Sequence, residues 1–264
     1  MPNFKRVARW LWGNRKALIS SGLALALLWT IFFNTSWLGW GLIALAVLLF
    51  VAVWWSTNFS LKEKSFWLLV AHMFWITAGV VGFVLFNIVV LWHFYLIAGL
   101  MAVLWWWLLM MYESFANTGT WPVRVRPVLD FFDLVAYFFI GATLLLAADF
   151  YGLTATWLVI AVALQTVLAL YLRFWREEIG GLRRWLYVVL VTLLTQEVMW
   201  VISFWHRGVY LKSFMLAILF YLMVESVVHY AQNKLTVRVA LEYIGLVVAA
   251  LVGVLIVDGF LVLR

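Results

Sequence analysis

The stretch FYLMVESVVHYAQNK, residues 220–234, sets Glu225 and His229 four apart in an otherwise apolar run. On a helix, positions i and i+4 share a face. The carboxylate and the imidazole would then stand one above the other. Three kinds of chemistry suit such a pair. It can give two ligands to a metal ion if others complete the set. It can begin a proton relay, because both groups titrate. It can also be a polar seam, with Glu225 hydrogen-bonded to a neighbouring helix and His229 at the headgroup level. The di-iron bundle pattern is Glu-x-x-His, used twice. Here the spacing is one residue longer and occurs once, so the metal reading needs Asp133 or His72 to complete it.

TQEVMW, 195–200, is a second focus. It places Gln196 and Glu197 near the middle of an apolar segment. Glu197 there is either hydrogen-bonded across helices or a proton acceptor. An ionisable side chain at the bilayer centre costs roughly 2.5–3.5 kcal/mol on insertion scales. The candidates for chemistry away from helix ends therefore form a short set: His72, Asp133, Glu197, Glu225 and His229, with Gln165 and Gln196 as uncharged companions.

The elements that must position these residues are membrane spans. Of 264 residues, 68% are hydrophobic and 11% charged, and the mean hydropathy is +1.08. A soluble domain is nearer half apolar and about 25% charged. So little charge cannot cover so much apolar surface, so lipid must be the main solvent. The 19 Trp and 10 Tyr fit, because both rings favour the headgroup boundary. The absence of cysteine excludes disulfides, thiol catalysis and Cys-ligated metal centres.

Nine segments approach the ~20 residues needed to cross a bilayer: 17–33, 37–56, 66–86, 90–112, 129–148, 153–174, 185–205, 211–231 and 241–262. The third and fourth are divided near Asn87, in NIVVLWHF. With the N-terminus inside, the inner segments carry 15 of the 18 Lys and Arg residues and the outer segments carry 3. The positive-inside rule then predicts N-terminus in and C-terminus out, in a bacterial cytoplasmic membrane. On this reading the basic balance is a topology device, with anionic headgroups at the cytoplasmic rim as its partner and no nucleic acid. Residues 1–16 read as a basic amphipathic interfacial segment. Residues 17–264 read as one transmembrane helical domain. No loop is long enough to form a soluble domain.

The expected architecture is an all-α, polytopic bundle. Asp130, Asp133 and Tyr137 share a face of the fifth segment; Tyr221, Glu225, His229 and Asn233 share one of the eighth. If the fifth, seventh and eighth segments meet, an inward-facing polar cluster results. Gly245, Ala249 and Gly253 lie four apart on the last segment, and small residues at that spacing allow close helix approach. Ala78 and Gly82, and Gly22 and Ala26, repeat it. These stripes suit packing within the bundle or an oligomer face.

Two resemblances can be stated. EEIGGLR (Glu177 to Arg183) followed by HYAQN (His229 to Asn233) is similar to the motifs of CAAX-type intramembrane proteases. Here Arg183 is five residues after Glu178 where that family has four. Glu225 stands where a Phe should precede the histidine. The protease reading is set aside on those departures. From TQEVMWVISF through FYLMVESVVHY to VRVALEYIGLVVAALVG, the chain resembles uncharacterised multi-spanning membrane proteins of candidate-phylum bacteria. That resemblance implies no activity.

The expectation is transport or lipid handling through the inward-facing cluster. The alternatives are a structural or assembly subunit and an intramembrane metal-dependent enzyme. No catalytic motif, resident metal or cofactor is expected.

Overall fold

The structure, a computed structural model, describes residues 15–33, 38–58, 63–87, 91–121, 125–205, 208–239, 241–245, 248–249 and 252–253. Among them there is no strand. Eight helices follow in order: α1 (Arg15–Phe33), α2 (Leu38–Thr57), α3 (Lys64–Asn87), α4 (Leu91–Thr118), α5 (Arg126–Tyr151), α6 (Ala155–Arg176), α7 (Gly181–Ser203) and α8 (Val209–Ala231). Seven of these, α2 to α8, contain stretches long and apolar enough to cross a membrane. The chain is a helical membrane protein. Of the ninth expected segment, 241–245, 248–249 and 252–253 are described and helical. The interfacial segment falls almost wholly on 1–14, outside the described residues.

The helices begin and end where local chemistry requires. The third and fourth segments separate as expected, with α3 ending at Asn87 and α4 beginning at Leu91. α4 runs to Thr118, six residues beyond the apolar stretch, so part of the expected loop is helical. Hydropathy measures the apolar slab, whereas a helix continues until its backbone is interrupted. The interruption is Gly119, at φ +70, whose N–H closes on the Phe115 carbonyl at 2.8 Å. Positive φ carries no steric cost for glycine. Pro127 sits in the first turn of α5, where no intrahelical N–H is needed.

The chain divides into two compact units. The first comprises Met1–Ala78 and Asn87–Val128. In it α1 packs on α2 and α4, and α2 on α4. Leu49, Val53, Phe66, Met73 and Leu108 fill its core. Two hydrogen bonds join buried polar side chains there. Trp105 donates to Thr77 Oγ1 at 2.8 Å, and Tyr112 Oη lies 2.8 Å from His72 Nδ1.

The second unit comprises Gly79–Phe86 and Leu129–Arg264. Here α6 packs on α7, and α7 on α8. α5 is tied to several neighbours. A Cβ on Gly79 would sit 2.9 Å from the Ala136 carbonyl oxygen, and one on Gly82 would sit 2.9 Å from Thr143. Only glycine permits that approach, which matters where helix association depends on contact. Ser213 of α8 donates to the Phe138 carbonyl at 2.6 Å. The Tyr137 ring stacks on Phe220 at 3.9 Å between centroids. Gln165 of α6 donates to the Tyr137 carbonyl at 2.8 Å. Tyr137 Oη and Thr166 Oγ1 share a hydrogen bond of 2.8 Å.

Candidate functional site

α5, α6 and α8 bring charged side chains together. Asp130 and Asp133 stand three apart on α5, and Arg173 and Arg176 stand three apart on α6. On a helix each doublet points to one side, and the two doublets face each other. Arg173 pairs with Asp130, and Arg176 pairs with Asp133. Arg176 also reaches Asp130 at 3.1 Å. α8 adds Glu225, which accepts a hydrogen bond from Arg173 Nη2 at 2.8 Å. Glu177 lies 3.5 Å from Arg173. A planar guanidinium with five donors suits this multiple pairing better than a lysine would.

The helix ends hold the cluster in place. Both α6 and α8 finish in a Schellman-type turn. Beyond α6, Glu178 takes φ 58, and Ile179 N–H returns to the Phe174 carbonyl at 3.0 Å. Beyond α8, Asn233 takes φ 56, and Lys234 N–H returns to the His229 carbonyl at 2.8 Å. Gln232 Nε2 bridges the two ends by donating to Glu177 Oε2 at 2.8 Å. Arg173 and Arg176 occupy the last turn of α6, where positive charge complements the helix dipole.

Burial decides the energetic class. The Arg173 and Arg176 side chains are 9% and 1% exposed, and Glu225 is 11% exposed. Surface ion pairs contribute about 0–1 kcal/mol. A buried pair is different: removing one partner strands the other and costs about 3–5 kcal/mol. The exposed Arg238–Glu242 pair, 3.1 Å apart, belongs to the first class.

The space left inside the cluster is about 20 Å³, bordered by Asp130, Asp133, Arg173, Tyr221 and Glu225. That holds about one water molecule. It is not a passage for a larger solute. His229 adjoins it. Its Nδ1 is 2.9 Å from the Glu225 carbonyl, 3.0 Å from Tyr243 Oη and 3.8 Å from Glu225 Oε2. One tautomer donates to the carbonyl and the other accepts from the phenol. Among the described residues, no group of three or more His, Asp and Glu side chains is placed to hold a metal ion. The carboxylates are turned to guanidinium groups instead.

The polar residues expected in one cluster occupy several places. Asp133, Glu225 and His229 meet around Arg173 and Arg176. Gln165 is buried between α6 and α5. His72 lies in the first unit beside Tyr112. Gln196 is half-buried on α7. Glu197 is exposed and lines a crevice with Phe204, Trp205, Met215 and Leu219. Glu197 and Glu225 line separate cavities.

That crevice measures about 630 Å³. A second one, about 430 Å³, is bordered by Leu190, Leu194, Leu222, Ser226 and Tyr243. Leu219 borders both, so they adjoin along α7 and α8. Ligand pockets usually fall between about 300 and 1,000 Å³. Elsewhere the small-residue stripes differ. Gly82 is in close contact, whereas Gly22, Gly245 and Gly253 have nothing within 4 Å of a Cβ position.

The central pair, Arg173 and Arg176, is absent from the residues singled out by sequence. Both had been counted only as charges at a membrane boundary. The signal that marks them is the pair of matched i, i+3 doublets, acidic at the start of one span and basic at the end of the next. A family model described as "Protein of unknown function (DUF5656)" matches residues 131–257. The matched stretch contains Asp133, Arg173, Glu197 and Glu225. No curated protein matches the chain, and no solved structure does.

Proposed function

We propose that this membrane protein handles an amphiphilic, lipid-like ligand taken laterally from the bilayer into the crevice between α7 and α8. The ionic cluster keeps α5, α6 and α8 in register while α7 forms the crevice wall. The observation that carries this reading is the contrast in room. The ionic cluster admits one water-sized molecule, whereas the crevices offer about 630 and 430 Å³ of apolar-walled space. Transport through the polar cluster itself has no comparable support.

The distribution of Lys and Arg, 15 against 3, supports the N-in, C-out arrangement in a bacterial cytoplasmic membrane. In that orientation the ionic cluster lies toward the cytoplasm, and anionic headgroups gather at that rim. Native mass spectrometry of protein released from native-lipid nanodiscs tests the reading. The expected result is a retained lipid-like mass that Leu219→Trp removes. Retention unchanged by Leu219→Trp contradicts the assignment.

A second reading is a structural or assembly subunit, joined to another copy or another protein. One observation favours it: Gly245, Ala249 and Gly253 are all exposed within this chain. Sedimentation in detergent tests it through Ala249→Phe, which should reduce an oligomer to a monomer.

A further inference from the structure

Glu197 differs from every acid of the ionic cluster. It is exposed, and among the described residues it makes no hydrogen bond and no ion pair. An acid on an apolar wall is costly in a membrane, and such residues mark binding sites and ion pathways. Here it lines the same crevice as Phe204 and Trp205, seven and eight residues further along the chain. Aromatic faces attract cations, and desolvation strengthens the attraction. The acid and the aromatics therefore select the same partner, a positive charge.

The remaining shape is that of a tail. The adjoining crevices are bordered by α8 from Met215 to Val227, about 18 Å at ~1.5 Å per residue. Their walls past Leu219 are apolar, with Ser226 and Tyr243 as exceptions. Anionic phospholipids carry a net negative head, which the Glu197 carboxylate repels.

We infer that the α7/α8 crevice takes a single-tailed amphiphile with a cationic amine head. The head sits at Glu197 in the part of the crevice that Phe204 and Trp205 also line, and the tail runs past Leu219 toward Tyr243. This rests on the lipid-handling reading above and names its ligand class. The amine supplies the charge that Glu197 lacks, and the tail replaces bilayer lipid in the crevice.

Electron paramagnetic resonance on the full chain in phosphatidylcholine nanodiscs tests it. The probes are dodecylammonium with a tail-end nitroxide and the matching dodecanol. Expected is a saturable, motionally restricted dodecylammonium component in the wild type. Glu197→Gln should raise its apparent Kd at least tenfold, and Glu197→Asp should restore most of the loss. Neither change should move dodecanol binding, whereas Leu219→Trp should remove the restricted component of both probes. Thermal unfolding of each variant checks that it is folded; Glu197 is exposed, so the wild-type midpoint is expected. If the wild type binds both probes equally, or Glu197→Gln alters neither, the cationic head is wrong and the crevice stands. If neither probe shows a saturable component in the wild type, both readings fall.

Discussion

Glu225 and Glu197 are acids on neighbouring helices of the same unit, and the structure treats them oppositely. Glu225 is buried and held by Arg173 at 2.8 Å. Glu197 is exposed on a crevice wall and has no partner among the described residues. A charge buried in apolar surroundings persists only when it is paired and hydrogen-bonded. The ionic cluster meets that requirement within the chain and leaves room for about one water molecule. Glu197 leaves it to be met by something else. A costly residue paired within the chain holds a fold together, whereas one left open marks a place for a ligand.

The largest effect should come from breaking the closed region. Arg173→Met strands Glu225 and leaves Asp130 only its contact with Arg176, and it should lower stability by about 3–5 kcal/mol, read as a reduced unfolding midpoint in detergent. Adding Glu225→Met to that variant should recover part of the loss, because one stranded charge is then gone. Full wild-type stability in Arg173→Met would show that the cluster is not buried as described.

Packing should come next. Gly79→Ala puts a Cβ 2.9 Å from a backbone oxygen that cannot swing away. A loss of about 1–3 kcal/mol is expected from such overpacking. Tyr137→Phe removes the hydroxyl that meets Thr166 at 2.8 Å. Thr166 keeps its bond to the Val162 carbonyl, and Gln165 keeps the Tyr137 backbone oxygen. The expected loss is about 0.5–1.5 kcal/mol, that of one hydrogen bond. Both follow from thermal or denaturant unfolding.

The smallest stability effect should come from the open region. Glu197→Gln should stay within about 0.5 kcal/mol of wild type, as surface changes do, while amine binding falls. The same change at Glu225 should behave the other way, lowering stability through its lost pairing with Arg173. Equal stability losses for the two glutamine variants would erase the distinction between the regions.

Much of the fold is legible in the sequence, because lipid requires long apolar helices. The separation at Asn87 followed from the only polar residues available there. The overrun of α4 to Thr118 did not, since hydropathy cannot see how far a helix continues into the headgroup zone. Asp133, Glu225 and His229 stood out because their charge is conspicuous among apolar neighbours. Arg173 and Arg176 did not, because basic residues near span ends ordinarily serve topology. Their inward orientation depends on which helices are neighbours, and spacing along one chain does not order helices in space. For the same reason Glu197 and Glu225, both conspicuous, gave no sign of belonging to different regions.

The open crevice is the central claim, and the chain has no cysteine, so one introduced thiol carries a unique label. A bimane at Leu194→Cys, on the exposed rim of the crevice, titrated in nanodiscs with the nitroxide-tailed dodecylammonium probe, reports entry directly. Quenching should saturate at Leu194→Cys and rise linearly at Val189→Cys, a position on α7 that is 55% exposed and borders neither crevice. Linear, equal quenching at both positions would mean that the probe merely dissolves in the bilayer, and would contradict the account.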